Sequence, residues 1–411
     1  AVDDTGMYFV AQLPETTPCL FKQSLDGSVR FWTKYHYEIL NGETQGGISL
    51  ASNQAGKLFL LQQNGHLQVL DTETGRKLQS WDILPADERR TKFHYYHRKD
   101  ELAGADMDAL GNTVVVSYRD RDRLAFLDAE TGAVTAELSI ADPTGVEVIG
   151  QNTCLVISGK RVLQVYGDGR MYEVVSDGLV EPTRITYDPV ASVIYIADGI
   201  TGAQVKKFSS FGELLNVFGK SGGRSFGRYV ATDYHGIRDI TIDRHGGYLV
   251  VEPFTPPKRV ARFSAQGAPI EEWYGGQDYY AYAAPDPRDP SQVWIYSSQA
   301  FILLDLDIET GDWSVSETWE PERLAGGLIY QMGGFQGQWN VVYHNDIRYL
   351  VGTGSQAQVL RHESGDLRAV SISSRRNSQM DKIETILGPR PNWPRSFTWR
   401  DENGAGLPQP V

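Results

Sequence analysis

The sequence predicts an all-β chain in which small four-stranded antiparallel sheets stack radially as a β-propeller. Three observations lead there. A strand–turn–strand phrase whose turn ends in Gly recurs eight times, a second β-rich hairpin precedes it, and no unit carries sustained 3.6-residue periodicity. The 42 glycines and 21 tyrosines among 411 residues fit many turns and many strands.

The phrase reads LFKQSLDGSVRFW around Gly27, LQVLDTETGRKLQSW around Gly75 and LAFLDAETGAVTAEL around Gly132. It continues as LQVYGDGRMYEV around Gly169, VKKFSSFGELLNVFG around Gly212 and VARFSAQGAPIEEW around Gly267. LLDLDIETGDWSVSETW around Gly311 and VLRHESGDLRAVSI around Gly365 complete the series. The spacing averages about 48 residues, the length of a four-stranded unit. MDALGNTVVVSY, ITYDPVASVIYIAD and ITIDRHGGYLVVE are preceding hairpins, with Val, Ile and Tyr runs flanking a polar turn. Such a sheet cannot bury both faces alone, so the units must cover one another.

The expected architecture is one domain over 1–411 with eight blades, or seven with one degenerate unit outside the ring. AVDDTG keeps only the end of a first strand, and Ser396–Trp399 is expected to complete that first blade, closing the ring through a shared N/C-terminal blade. Residues 375–411 are then a closing segment.

Composition narrows the function. With 39 Lys+Arg against 52 Asp+Glu, the formal net charge is −13, and no basic run exists, which argues against a nucleic-acid partner. No stretch of eighteen apolar residues is present to span a bilayer. Hydrophobic residues at 41% and charged residues at 22% are enough to build a core. The chain starts at Ala1 without an initiator Met or apolar leader, which reads as a processed product, and the expected location is extracellular or periplasmic. Cys19 and Cys154 have no metal or redox spacing, and their pairing is left open.

Residues 181–275 resemble NHL-type repeats, through GKSGGRSFGRY (219–229), HGIRDITIDRHGGYLVVE (235–252) and RVARFSAQGAPIEEWYG (259–275). The resemblance implies a propeller scaffold without assigning a chemistry. LDTETGRKLQSW (70–81) and LDIETGDWSVSETW (306–319) are similar to turns of quinoprotein-like propellers. In that family the Asp-x-x-Thr-Gly turn and the following Trp dock one blade on its neighbour. The vicinal cysteines of its quinone dehydrogenases are absent, so these Trp residues are read as packing.

Long connections on one face are the expected place for function. Asp82–Leu102 carries His94, Tyr95, Tyr96, His97 and Arg98, and Lys220–Gly236 carries Arg224, Arg228, Tyr229, Tyr234 and His235. Gly275–Tyr282 adds Tyr279 and Tyr280, and Arg323–Trp339 adds Tyr330, Gln331 and Trp339. Flat rings with Arg and Gln suit a sugar, whose C–H face stacks while its hydroxyls take directed hydrogen bonds. Propeller polysaccharide lyases are similar in kind. That resemblance implies His94, His97 or His235 as base, Tyr234 as acid, and Arg98 or Arg228 clamping a uronate carboxylate. NHL-type amidating lyases that hold zinc imply a weaker reading, with His94 and His97 joined by His235 or His344. His344 alone reads as a strand residue and His245 as a solvated turn residue. Asp401, Asn403 and Gly406 are spaced like the start of a calcium loop, but position five is Ala405, so a plain turn is the expectation over calcium at Asp401 and Asn403. No other metal or cofactor is expected.

The functional expectation is a secreted, non-catalytic module that binds a protein partner or a glycan, as a subunit or fragment of a larger assembly. The alternative is the uronate lyase.

Overall fold

The computed structural model describes residues 1–13, 17–24, 28–34, 49–62, 65–85, 106–199, 203–243, 246–253, 257–275, 282–296, 300–320, 324, 338–353, 356–375, 396–402 and 404. The fold is all-β, built of antiparallel sheets of four or five strands. Helix is nearly absent among these residues, with a 3-10 turn at Arg119–Arg121. The chain divides into two compact units. The first holds 1–223, 234–251 and 261–272, and the second holds 224–233, 252–260 and 273–411.

In the first unit, sheet one is β1 (Val2–Asp3), β2 (Gly6–Leu13), β3 (Thr17–Gln23) and β4 (Val29–Lys34). Sheet two is β5 (Ser49–Ser52), β6 (Lys57–Leu61), β7 (His66–Asp71) and β8 (Lys77–Asp82). Sheet three is β9 (Asp106–Leu110), β10 (Thr113–Tyr118), β11 (Arg123–Asp128) and β12 (Val134–Ser139). β13 (Pro143–Gly150), β14 (Thr153–Ser158), β15 (Arg161–Tyr166) and β16 (Met171–Val175) form sheet four. β17 (Pro182–Asp188), β18 (Val193–Asp198), β19 (Gln204–Ser209) and β20 (Leu214–Phe218) form sheet five.

Burial follows strand position. β10 and β18 are buried at every residue, whereas β12 and β20 are largely exposed. A strand covered on both faces needs a continuous apolar run such as TVVVSY or VIYIAD, while a half-covered one alternates. The core clusters bridge consecutive sheets. Phe59 and Val69 of sheet two pack with Val114 and Val116 of sheet three, and Val115 and Phe126 of sheet three pack with Cys154 and Val156 of sheet four. Their first strands follow one another side by side, β5, β9, β13 and β17. Cys154 is a free, fully buried thiol whose pKa burial pushes up.

Between sheets, the close approach falls on the turn joining the third and fourth strands. A β-carbon at Gly132 would lie 2.2 Å from the Trp81 ring, and one at Gly267 would lie 2.3 Å from the Phe218 ring. In each case the outer strand of one sheet seats its aromatic residue on the turn glycine of the next. Around these turns Asp71, Asp128 and Asp307 accept hydrogen bonds from the backbone two and three residues on, and the first two also accept the hydroxyls of Thr74 and Thr131. These bonds hold all three carboxyls below the usual range.

A sixth sheet is ordered β22 (Asp239–Ile242), β23 (Tyr248–Glu252), β24 (Arg259–Phe263) and β25 (Pro269–Tyr274). In the second unit the outer edges differ from expectation. β21 (Gly227–Arg228), from within the 220–236 connection, pairs with β29 (Trp313–Trp319) and adds a fifth strand to β26 (Tyr282–Pro285), β27 (Gln292–Tyr296) and β28 (Phe301–Leu306). The last sheet is β30 (Gln338–His344), β31 (Ile347–Thr353), β32 (Gln356–Glu363), β33 (Asp366–Arg375) and β34 (Ser396–Arg400). The expectation that Ser396–Trp399 completes the first blade is therefore corrected. Ile372 pairs with Trp399 and Ser373 with Thr398, while sheet one supplies its own first strand through Val2↔Met7. The ten-residue β33 presents a long outer edge whose backbone groups gain more from a local partner.

Gly132→Ala is expected to lower the melting midpoint more than Gly111→Ala. Both residues have positive φ (71° and 58°), but a β-carbon at 111 meets open space. The shared strain is about 1–2 kcal/mol, and the Trp81 collision adds about 1–3 kcal/mol of overpacking. Equal losses in the two melts would show that the aromatic does not dock there.

Candidate functional site

Of the residues expected at the loop-rich face, the structure places six. In the second unit, Arg224 is buried and Tyr229 half-buried, and both are engaged by neighbouring groups. Arg224 donates from Nη2 to Glu252 Oε1 at 2.7 Å and from Nε to the Asp233 carbonyl at 3.1 Å. Arg259 pairs through Nε with the other Glu252 oxygen, and donates from Nη1 to the Tyr229 hydroxyl at 2.5 Å and the Ala231 carbonyl at 2.9 Å. Both guanidinium groups lie over the Tyr229 ring, at 5.1 and 5.6 Å. Glu252 is 0% exposed and Arg259 2%. The cluster is a closed clasp that holds residues 224–233, which also carry β21. Arg228, on β21, is exposed.

In the first unit, Tyr234 is fully buried. Its hydroxyl meets that of Tyr248 at 2.7 Å, and its ring packs edge-on against Phe263 at 5.2 Å. Burial and the adjacent Tyr234 hydroxyl push the Tyr248 pKa far up. A phenol in this position belongs to the core and does not reach a substrate in solvent. His235 beside it is half-buried. In the second unit, Trp339 is half-buried on β30, with its ring edge-on to Phe301 at 4.9 Å and its carbonyl accepting the Tyr296 hydroxyl. His344 ends the same strand exposed, beside Asn345.

His94, Tyr95, Tyr96, His97, Arg98, Tyr279, Tyr280, Tyr330, Gln331, His245 and Asn403 lie outside the described residues. Asp401 is half-buried. Among the described residues no three His, Cys, Asp or Glu side chains gather as metal ligands, and no helix is long and apolar enough to cross a membrane.

The sequence reading missed two polar constructions. In the first unit, carboxylates on the first strands serve the neighbouring strand. Asp106 Oδ2 accepts the Val146 N–H at 3.1 Å, Asp108 Oδ2 accepts Val148 N–H at 2.7 Å, and Glu147 Oε1 accepts Tyr187 N–H at 3.1 Å. Acids two residues apart on β9 thus match N–H groups two apart on the open edge of β13, as the period of a strand requires. Arg184 Nε stands 3.6 Å from Asp106. The signal is legible in retrospect as acids at alternate positions (DMDAL) in the first strand of an apolar hairpin. In the second unit, His362 Nε2 lies 2.7 Å from Glu317 Oε2, and Arg348 pairs with Asp286 at 2.8 Å while donating to the Tyr343 hydroxyl at 2.9 Å. These groups are largely buried and tie the last two sheets together.

The first unit also exposes apolar side chains. Seventeen large hydrophobic side chains are exposed among the described residues, and eight fall between 171 and 217, so they concentrate on sheets four and five. Phe211 is 88% exposed at the turn before β20, and Met171, Tyr172, Leu214, Leu215 and Val217 occupy the two outer strands. The outer strands adjoin at that turn, because Gly212 sits against the Val174 carbonyl.

Burial, with the neighbouring Asp106 charge adding to it, pushes the Asp108 carboxyl up to about 7. Burial likewise raises Glu147 and Asp239, with the Ala1 amino group, Arg184 and Asp106 facing Asp239. A carboxyl raised in the folded state keeps a proton that the unfolded chain releases near 4. Its contribution is therefore complete below that value and lost as pH rises through about 7. Asp108→Asn keeps an acceptor for Val148 without the charge. Its melting midpoint relative to the wild type is expected to climb between pH 5 and pH 8, and a pH-independent difference would contradict the assignment. Glu252→Gln leaves two buried guanidinium groups without their counter-charge and is expected to cost about 3–5 kcal/mol. A loss under about 1 kcal/mol in denaturant titration, the scale of a surface pair, would show that the clasp does not hold its segment.

No protein-family model matches the sequence, and no curated protein is similar to it. Among solved structures, the chain is similar to one in the crystal structure of a nidogen/laminin complex, with 12% identity, 63% of this chain and 90% of that chain covered, and a TM-score of 0.43. It is also similar to KlHsv2 with loop 6CD replaced by a Gly-Ser linker, with 8% identity, 79% and 98% covered, and a TM-score of 0.37.

Proposed function

We propose that this chain is a non-catalytic binding module of the β-propeller type whose partner is a protein, engaged through the outer face of sheets four and five. The observation that carries this reading is the exposed apolar set Met171, Tyr172, Phe211, Leu214, Leu215 and Val217 on two adjoining sheets. Exposed apolar patches of this kind mark sites of association, because covering them removes apolar area from water at roughly 25 cal/mol per Å². The propeller reading is supported by the chain-order stacking of sheets in the first unit, and an eight-bladed ring is part of the proposal. A uronate lyase draws less support, since its implied acid, Tyr234, is part of the core.

Benzoylphenylalanine incorporated at Phe211, and separately at exposed Ile308 as a control, tests the reading in extract of the source organism. A discrete protein adduct is expected from position 211 and not from 308. Adducts from neither position, or the same adducts from both, would remove the patch as a docking face.

A further inference from the structure

We infer that β20 is the receptor strand of this face, and that its occupant is an extended apolar segment of a different protein, neutral or basic, added to sheet five as a fifth strand. The inference rests on the reading of the patch as a protein-binding face and says how that face is used.

Three observations carry it. The first is the state of the edge. β20 is the outermost strand of its sheet, and among the described residues no strand pairs with its free side. Its residues Leu214, Leu215, Asn216 and Val217 are all exposed. The Val217 N–H is taken by the carboxamide of Asn216 at 2.8 Å, a local stand-in that an incoming carbonyl can replace.

The second is composition. Outer edges are ordinarily protected by charge, above all by Lys, which prevents adventitious pairing. β8 carries Lys77 and Asp82, β12 carries Glu137, β16 carries Glu173 and β25 carries Glu271 and Glu272. β20 reads LLNVF and carries none.

The third is precedent within the chain. The outer strands β29 and β33 are each covered by an added antiparallel strand, β21 and β34. Strand addition at the fourth strand is therefore a pairing this architecture accommodates, and among the described residues sheet five keeps the position open. In such addition the main chain supplies affinity while alternate side chains supply specificity, here against Leu214, Leu215 and Phe211.

Charge selects the occupant. The chain carries −13, so a second copy approaches against a like field, whereas a neutral or basic segment does not.

The test uses the full chain and a labelled ten-residue peptide of alternating Val and Thr with Lys at both ends, read by fluorescence anisotropy. Binding is expected, weakened at least tenfold when the terminal Lys residues are replaced by Glu. It is expected to be abolished when alternate peptide nitrogens along one edge are methylated, a change that leaves the protein untouched. Val217→Pro removes an N–H that the β19 ladder does not use. The variant is expected to weaken the Lys-ended peptide at least tenfold with an unchanged melting midpoint.

No binding by the Lys-ended peptide, equal binding of the Lys- and Glu-ended forms, or undiminished binding of the methylated form overturns the inference. So does a concentration-dependent dimer that Val217→Pro dissolves, which would make a second copy the occupant. If Phe211 yields its protein adduct while the amide hydrogens of β20 exchange no more slowly in that complex, the docking face stands and strand addition falls.

Discussion

Close face-to-face contact between successive sheets is the constraint on which the first unit depends. A sheet whose second strand is buried at every residue has no solvent face there to carry polar side chains, so its neighbours must lie within van der Waals reach of that strand. That reach is set where an outer-strand aromatic meets a turn. Trp81 over Gly132 and Phe218 over Gly267 occupy space that any β-carbon would take. The turn geometry and the inter-sheet distance are thus one requirement, met by a single residue type. Asp128 fixes the Gly132 turn from within, and the Ser264 hydroxyl, accepting the Gln266 and Ala268 N–H groups, does so at Gly267.

Face contact satisfies side chains but leaves the edges of the first strands short of partners. The carboxylates of Asp106, Asp108 and Glu147 supply acceptors for those edges, at the cost of being buried. The raised pKa values of Asp108 and Glu147 follow from that burial and mark a structural duty here. Perturbed ionisation is common at reactive centres, but ion-pair and hydrogen-bond networks produce it as well. The clasp of Glu252 with Arg224 and Arg259 is likewise a buried polar network in the second unit. Two cations and one anion are buried together because backbone carbonyls and the Tyr229 hydroxyl take up the remaining donors.

Sheet edges differ in how they are covered. β29 and β33 are covered by strands recruited from a connection and from the C-terminal region, whereas among the described residues no strand covers β20, which carries no charged side chain and is flanked by exposed aromatic and aliphatic groups. Among the described residues, exposed apolar side chains, ordinarily scattered singly, concentrate on sheets four and five of the first unit. Burial in the interior accounts for Tyr234, Arg224 and much of Trp339, side chains whose residue types alone fit a sugar-binding rim equally well.

The sequence by itself determined the strands, their grouping in fours and their turns, because strand period, β-branched runs and Asp/Gly turn chemistry are local properties. LDTETG and LDAETG announced capped turns, and TVVVSY announced a strand, whose burial at every residue the structure shows. Tertiary structure alone decided which edges are paired, since any open edge offers the same backbone groups and only proximity selects among them. It therefore sent Ser396–Arg400 to β33 and Gly227–Arg228 to β29. It also decided the fate of Arg224 and Tyr234. Whether a polar side chain faces solvent or a buried partner depends on what the rest of the chain brings against it, and no local pattern encodes that.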